Sequence, residues 1–322
     1  MMKWIRRVGL TLGITVGLVL GGCQASAPSR ATSSSQATSS QMTDSQTTSS
    51  QVATASGTTL TGNHQQTYQQ LAQLTYQSGQ PAAIKVNSGK STLAASQWKN
   101  SKIDYGQLDR LNRTTTDTAY LSRANLGKSA GRTAQNWQPT GWHNQPIKVN
   151  GKRVYPQNRG HLIAYTISFN LTSSGQYRSG EAGSLDNPKN LATQTAYSNQ
   201  QTMQIYEEQV RNALAQGKKV IYQVTTVFRG NELMPRGYWS QAVSTDGTVN
   251  FNVYIWNVEP GVQFDYATGR GHADAQLQVA GADRVTSSAN TSSNRNQQNS
   301  TTKQVERELY KYGTKLLKKA FD

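Results

Sequence analysis

Apolar and polar positions along this chain follow a helical rhythm in some stretches, a strand rhythm in others, and neither at the two ends. Over Asn63–Gln77, Tyr68, Leu71 and Leu74 recur on one helical face, which predicts a short amphipathic helix. Ile84–Asn87 reads as a strand ended by Gly89, whereas Trp98–Arg113 and Thr118–Leu126 show no clean period. Ile147–Tyr155 sets Asn150-Gly151 between two β-prone runs, a strong hairpin signal. His161 then opens another β-prone run, Leu162–Phe169. The clearest helix is Asn199–Gln216, where Met203, Tyr206, Val210, Ala213 and Leu214 keep helical spacing and Gly217 stands at the C-cap. Lys219–Phe228 and Thr248–Val258 are expected strands, separated by a loop carrying Gly230, Pro235 and Gly237. Long strands with a central helix predict an α+β domain.

The ends read differently. Lys3, Arg6 and Arg7 precede an apolar run, Val8–Leu20, too short to span a membrane comfortably but right for a secretory leader. Leu20-Gly21-Gly22-Cys23 follows and resembles the lipobox of bacterial lipoproteins, which implies a signal peptide over 1–22 and a lipidated Cys23 at the mature N-terminus. Residues 23–62 and 284–302 are Ser/Thr/Gln/Asn tracts with too little apolar surface to offset the entropy of ordering, so both are expected to be flexible linkers. Between them, 63–283 is long enough for one well-buried core. At the far end, 303–322, Val305, Leu309, Tyr312 and Leu316 keep helical spacing beside Lys311, Lys315, Lys318 and Lys319: a basic amphipathic helix that could meet a membrane, the domain or nucleic acid. Cys23 is the only cysteine, which excludes intrachain disulfides and cysteine metal sites.

Charge changes the picture by where it lies. Residues 63–283 carry 21 Lys/Arg against 13 Asp/Glu, and 118–180 hold Arg123, Lys128, Arg132, Lys148, Lys152, Arg153, Arg159 and Arg178 with no acid at all. Such a run is either a solvated face or a surface for a polyanion, where each cation against a phosphate releases counterions. It encloses an Arg159-Gly160-His161 triplet, which favours the polyanion. A second triplet, Arg270-Gly271-His272, follows an expected Thr268-Gly269 turn with no Asn/Glu helix after it, so His272 reads as a loop histidine. His64 and His143 have no ligand-like company either.

The first triplet is followed by Asn190, Gln194, Asn199 and Glu207, spaced by three, four and seven intervening residues. Asn158-Arg159-Gly160-His161 with this pattern resembles the DNA/RNA non-specific endonucleases, the ββα-metal or His-Me finger nucleases. The later run Phe251–Gly269 is similar to the secreted and surface-bound, DNA-entry branch of that family in Gram-positive bacteria. One departure stands out: the family usually has Asp where this chain has Asn158, which can hydrogen-bond but brings no negative charge.

The resemblance implies a ββα-metal fold around a central antiparallel sheet and hydrolysis of DNA and RNA to 5′-phosphate and 3′-hydroxyl ends. Phosphodiester attack needs a water that loses its proton and a cation against the growing charge. His161 would be the general base, since an ordinary imidazole is mostly neutral at pH 7. Mg²⁺, with Mn²⁺ as a second candidate, prefers oxygen ligands and keeps several waters. Asn199 would bind it directly and Glu207 would hold its waters from eight residues on, about 12 Å along a uniform α-helix and about 80° around it. Asn190 and Gln194 would position that network or the phosphate, and Arg159 could pair with a phosphate oxygen. Lipidation at Cys23 would then tether the enzyme to the outer face of the membrane. Two rivals are a lipoprotein that captures DNA without cutting it, and a cell-wall hydrolase, which suits an acid-free basic face less well.

Overall fold

The computed structural model describes residues 64–280 except Gly131, so the leader, Cys23, both linkers and the C-terminal helix expected above lie outside the described residues. In chain order the elements are α1 (His64–Gln73), β1 (Ala83–Lys85), β2 (Lys102–Tyr105), β3 (Thr116–Leu121), β4 (Ile147–Val149), β5 (Lys152–Val154), β6 (Gln157–His161), β7 (Leu191–Thr195), α2 (Gln204–Ala215), β8 (Val220–Val227), β9 (Gly237–Ser244), β10 (Asn250–Trp256), β11 (Val262–Asp265) and β12 (Arg270–Ala273). Six strands form the central sheet in the order β1-β10-β9-β8-β3-β2, every pair antiparallel. The α+β architecture read from the sequence is the one observed.

Alternation along the central strands sends side chains to opposite faces. Phe251, Val253 and Ile255 of β10 join Tyr206, Val210 and Leu214 of α2 in one core cluster. Their neighbours Tyr254 and Trp256 join Leu71 and Ala72 of α1 in a second cluster. One helix therefore covers each face of the sheet. This explains why β9 is missing from the sequence reading, where its residues fall in the presumed loop. All eight of its positions are buried, so Gly237–Ser244 shows no polar-apolar alternation to read.

Two other expectations change. β2 and β3 lie in the stretches that showed no period, and β3 does alternate, but from Thr116, two residues before the segment considered. The strand expected to begin at His161 instead ends there. Leu162, Ile163 and Ile167 are fully buried in an irregular segment with a 3₁₀ turn at Tyr165–Ile167. Their apolar character reflects packing in the α2-side core rather than strand pairing.

β6 and β7 form a separate antiparallel hairpin that pairs Asn158 with Gln194 and His161 with Leu191. Buried Asn257, just past β10, ties this hairpin to the sheet: its carboxamide accepts from Thr195 N (2.8 Å) and donates to Thr193 O (3.0 Å) and Pro235 O (2.9 Å). Tyr238 of β9 donates to the same Thr193 carbonyl at 3.0 Å. The chain then turns directly into α2, giving the strand-strand-helix unit that the resemblance implied. The Asn150-Gly151 hairpin joins β4 to β5 as expected, with φ of 47° and 79° that suit a type I′ turn.

Candidate active site

Gly160 and Gln194 show why the hairpin carries these residues. A methyl group at Gly160 would overlap the Gln194 carboxamide oxygen and come within 2.6 Å of its Cβ. Gln194 is fully buried, and its Nε2 donates to Ser198 Oγ at 3.1 Å, at the start of the helical segment. Asn190 is also fully buried. Its Oδ1 accepts from Ile163 N (2.8 Å), while Nδ2 donates to Ile163 O (3.0 Å) and Ser184 Oγ (3.2 Å). Asn190 thus holds the backbone just after His161, Gln194 packs against Gly160 and ties β7 to the helical segment, and neither faces solvent.

His161 is partly buried at the end of β6, with Nε2 2.9 Å from the Leu185 carbonyl. A carbonyl oxygen only accepts, so in the neutral ring Nε2 carries the hydrogen and Nδ1 holds the lone pair. Burial pushes the imidazole down to about 4; the Leu185 carbonyl opposes this and the Arg132 guanidinium adds to it. Glu207 moves the other way. Burial pushes its carboxyl up to about 7, against the pull of Arg211 and the same Arg132. One guanidinium thus acts on both the imidazole and the carboxylate, which brings the two ends of the sequence pattern together.

Arg132 is exposed and lies over the Tyr165 ring, 4.9 Å from its centroid. The segment after it is pinned to the strand of chain that holds His161. Gln135 donates to the Leu185 carbonyl (3.0 Å), and the backbone N–H groups of Asn136 and Trp137 donate to the Asp186 carboxylate (3.0 and 2.9 Å). Arg159 braces this segment, its Nε donating to Trp137 O at 2.6 Å and its guanidinium lying over Trp142. In the sequence Arg132 is one of eight cations of the acid-free run, and nothing marks Leu185 or Asp186. A backbone carbonyl leaves no trace in side-chain identity, and only the acid-free run pointed toward Arg132.

The helical step between Asn199 and Glu207 differs from the uniform α-helix assumed above. Ser198–Met203 form a π turn that runs into α2. A π bulge absorbs one extra residue, so eight residues act as about seven α-helical ones, close to two turns. Asn199 and Glu207 then fall within about 20° of each other, about 10 Å apart along the axis, instead of about 80° apart.

The family model for DNA/RNA non-specific endonucleases matches residues 91–245. The crystal structure of NucA from Streptococcus agalactiae with no metal bound is 32% identical over 59% of this chain and 86% of NucA, with a TM-score of 0.50. The magnesium-bound structure of NucA matches at 32% identity over the same shares, with a TM-score of 0.51. The chain belongs to the DNA/RNA non-specific endonuclease family.

In this nuclease the groups fit a hard cation. Asn199 is partly exposed and its carboxamide makes no hydrogen bond among the described residues, so its oxygen is free to coordinate. Glu207 adds a second oxygen donor on the same side of the helical segment. Among the described residues no group of three or more His, Cys, Asp or Glu could hold a metal, so an ion here would keep most of its waters, as Mg²⁺ does. The remaining histidines of the nuclease do other things. His64 stacks on Trp239 at 4.5 Å, His143 offers its backbone N–H to Gln157, and His272 is exposed in β12, a strand rather than the expected loop.

Proposed function

We propose that this nuclease is a surface-tethered, Mg²⁺-dependent endonuclease of the His-Me finger type that hydrolyses DNA and RNA to 5′-phosphate and 3′-hydroxyl ends. The observation that carries the reading is the His161 ring, held at Nε2 by Leu185 and set beside a guanidinium it shares with Glu207. Nδ1 of His161 takes the proton from the attacking water, and the Leu185 carbonyl stabilises the imidazolium that forms. An entering phosphodiester sets negative charge beside the ring and raises its low basicity at the moment a base is needed. Arg132 faces the charge that grows on the phosphoryl oxygens. Mg²⁺, held by the Asn199 carboxamide oxygen with Glu207 retaining its waters, would supply the remaining positive charge and stabilise the leaving 3′-oxygen. Asn190 holds the backbone that follows His161, Gln194 ties β7 to the helical segment through Ser198, and Arg159 keeps the Arg132 segment closed over the ring. No step involves a 2′-hydroxyl, which supports activity on both nucleic acids.

Plasmid digestion tests this. With Mg²⁺ the wild type should give a smear, with EDTA no cutting, and His161→Ala should lose nearly all activity. DNA binding by the wild type without Mg²⁺-dependent nicking would instead support the DNA-capture reading. Tethering rests on the lipobox-like Leu20–Cys23. Labelled palmitate should enter the wild-type protein and not Cys23→Ser; equal labelling of both would remove the anchor from the proposal.

A further inference from the structure

The β4–β5 hairpin has no part in the chemistry above, and its charges are arranged at a cost. Lys148 and Arg153 are direct cross-strand partners, so their side chains leave the same face of the hairpin side by side. Both are exposed, and neither makes a salt bridge among the described residues. Like charges directly opposite one another destabilise a hairpin. Tyr155, one residue past β5, is 55% exposed, and the Arg153 guanidinium lies 5.8 Å from its ring centroid. An uncompensated cation pair beside an exposed aromatic ring suits a nucleic-acid strand, with phosphates against the cations and a base against the ring.

The hairpin is also held firmly. Ile147, Val149 and Val154 on its other side pack against Val262, Phe264 and Met234. The neighbouring hairpin β11–β12 carries the second Arg-Gly-His triplet. A Cβ at Gly271 would sit 3.0 Å from both Ile147 and Phe264, so this glycine lets the two hairpins approach. The second triplet therefore has a packing role. Tyr155 precedes His161 by six residues along a chain that enters β6, a separation of at most about 20 Å in extended backbone.

We infer that the Lys148–Arg153 face of this hairpin, with Tyr155, grips the substrate strand within about six nucleotides of the bond that is cut. The inference rests on the endonuclease reading and extends it to how a long substrate is held. The test is binding of a fluorescein-labelled 24-nucleotide single strand to the mature chain in EDTA, where no hydrolysis intervenes, compared with Lys148→Ala/Arg153→Ala and with Tyr155→Ala. Loss of two phosphate contacts should weaken binding about ten-fold or more at low salt and lower the slope of log Kd against log salt by roughly 1.4. Removing the like-charge pair should leave the Tm unchanged or raise it, so weaker binding would not reflect unfolding. Tyr155→Ala should weaken binding with no change in salt slope. Equal Kd and equal slope for wild type and double variant would overturn the inference. Nicking of plasmid by the wild type with Mg²⁺ is scored separately: if it binds the strand through the hairpin but never nicks, the endonuclease reading fails and the grip stands.

Discussion

Burial shifts Glu207 and His161 in opposite directions, because it penalises the charged form of each. With Glu207 raised to about 7, the folded protein binds more protons than the unfolded chain between about 4.5 and 7, so that stabilisation is lost as pH rises through about 7. Glu207→Gln should therefore raise the Tm of the metal-free protein at pH 8 and change it little at pH 5, while cutting Mg²⁺-dependent activity by about 10- to 100-fold. His161, lowered to about 4, lets the unfolded chain take up the extra proton, so its site loses stability as pH falls from about 6.5 toward 4. Because His161 stays neutral well below pH 6, the acid limb of kcat/KM should belong to Glu207 and lie near 7. It should move to lower pH as Mg²⁺ is raised, since cation and proton compete for that carboxylate; a limb independent of Mg²⁺ would contradict this. Gly160→Ala makes a different demand, as its methyl would meet the fully buried Gln194, so a cost of about 1–3 kcal/mol in urea unfolding is expected. The spacing of His161, Asn190, Gln194, Asn199 and Glu207 was legible because one hairpin and one helical segment carry all five. Arg132 was not, because an exposed arginine in a loop acquires its role only when the fold lays that loop over Tyr165.

At the scale of elements, the π turn at Ser198–Met203 determines which way Asn199 points relative to Glu207. Ile205, Tyr206, Val210 and Leu214 fix α2 in the core, so the extra residue can only be taken up on the Asn199 side. An alanine inserted after exposed Gln200 should add one α-helical residue beyond the bulge and turn Asn199 by about 100° away from Glu207. The expected result is a folded protein with near-wild-type Tm and at least about 100-fold lower kcat, with Mg²⁺ affinity by titration falling alongside. An insertion variant of full activity would show that the two residues need not share a side. Sequence periodicity could not reveal this turn, because Asn199–Gln204 is mostly polar and one bulged residue leaves the apolar spacing of Tyr206 onward intact. β9 was invisible for the opposite reason: both its faces are covered, and burial on both sides removes the alternation that marks a half-buried strand. The β4–β5 hairpin was legible because Asn-Gly supplies the positive φ values its turn requires.

For the whole molecule, the segment that follows α1 is tied to the last described residues. Gly79 N–H donates to Gln278 O (2.8 Å), Ala280 N–H to Gln80 O (3.0 Å), and Ser78 Oγ to Gln276 O (2.6 Å). Tyr76 adds a hydroxyl bond to Gln278 O at 3.0 Å. The three core clusters and this closure are built from residues within 64–280. A fragment of residues 63–283 should therefore fold, keep its Mg²⁺ requirement and match the kcat of the longer chain on plasmid. α1 behaves differently. It buries Leu71 and Ala72 against the Trp239 and Trp256 face of the sheet, and Arg229 donates to Ala72 O (2.8 Å) and Leu74 O (2.9 Å) at its end. Starting the fragment at residue 82 removes that cover and the pairing with 276–280 together. Loss of one buried leucine and the exposure of two tryptophans amounts to several kcal/mol, which for a domain of this size lowers the Tm by on the order of 10 °C or more. The active-site hairpin packs on the opposite face, under α2, so residual activity at low temperature should persist in the shorter fragment. If differential scanning fluorimetry gave the 82–283 and 63–283 fragments the same Tm, the first helix would not be an integral part of the domain.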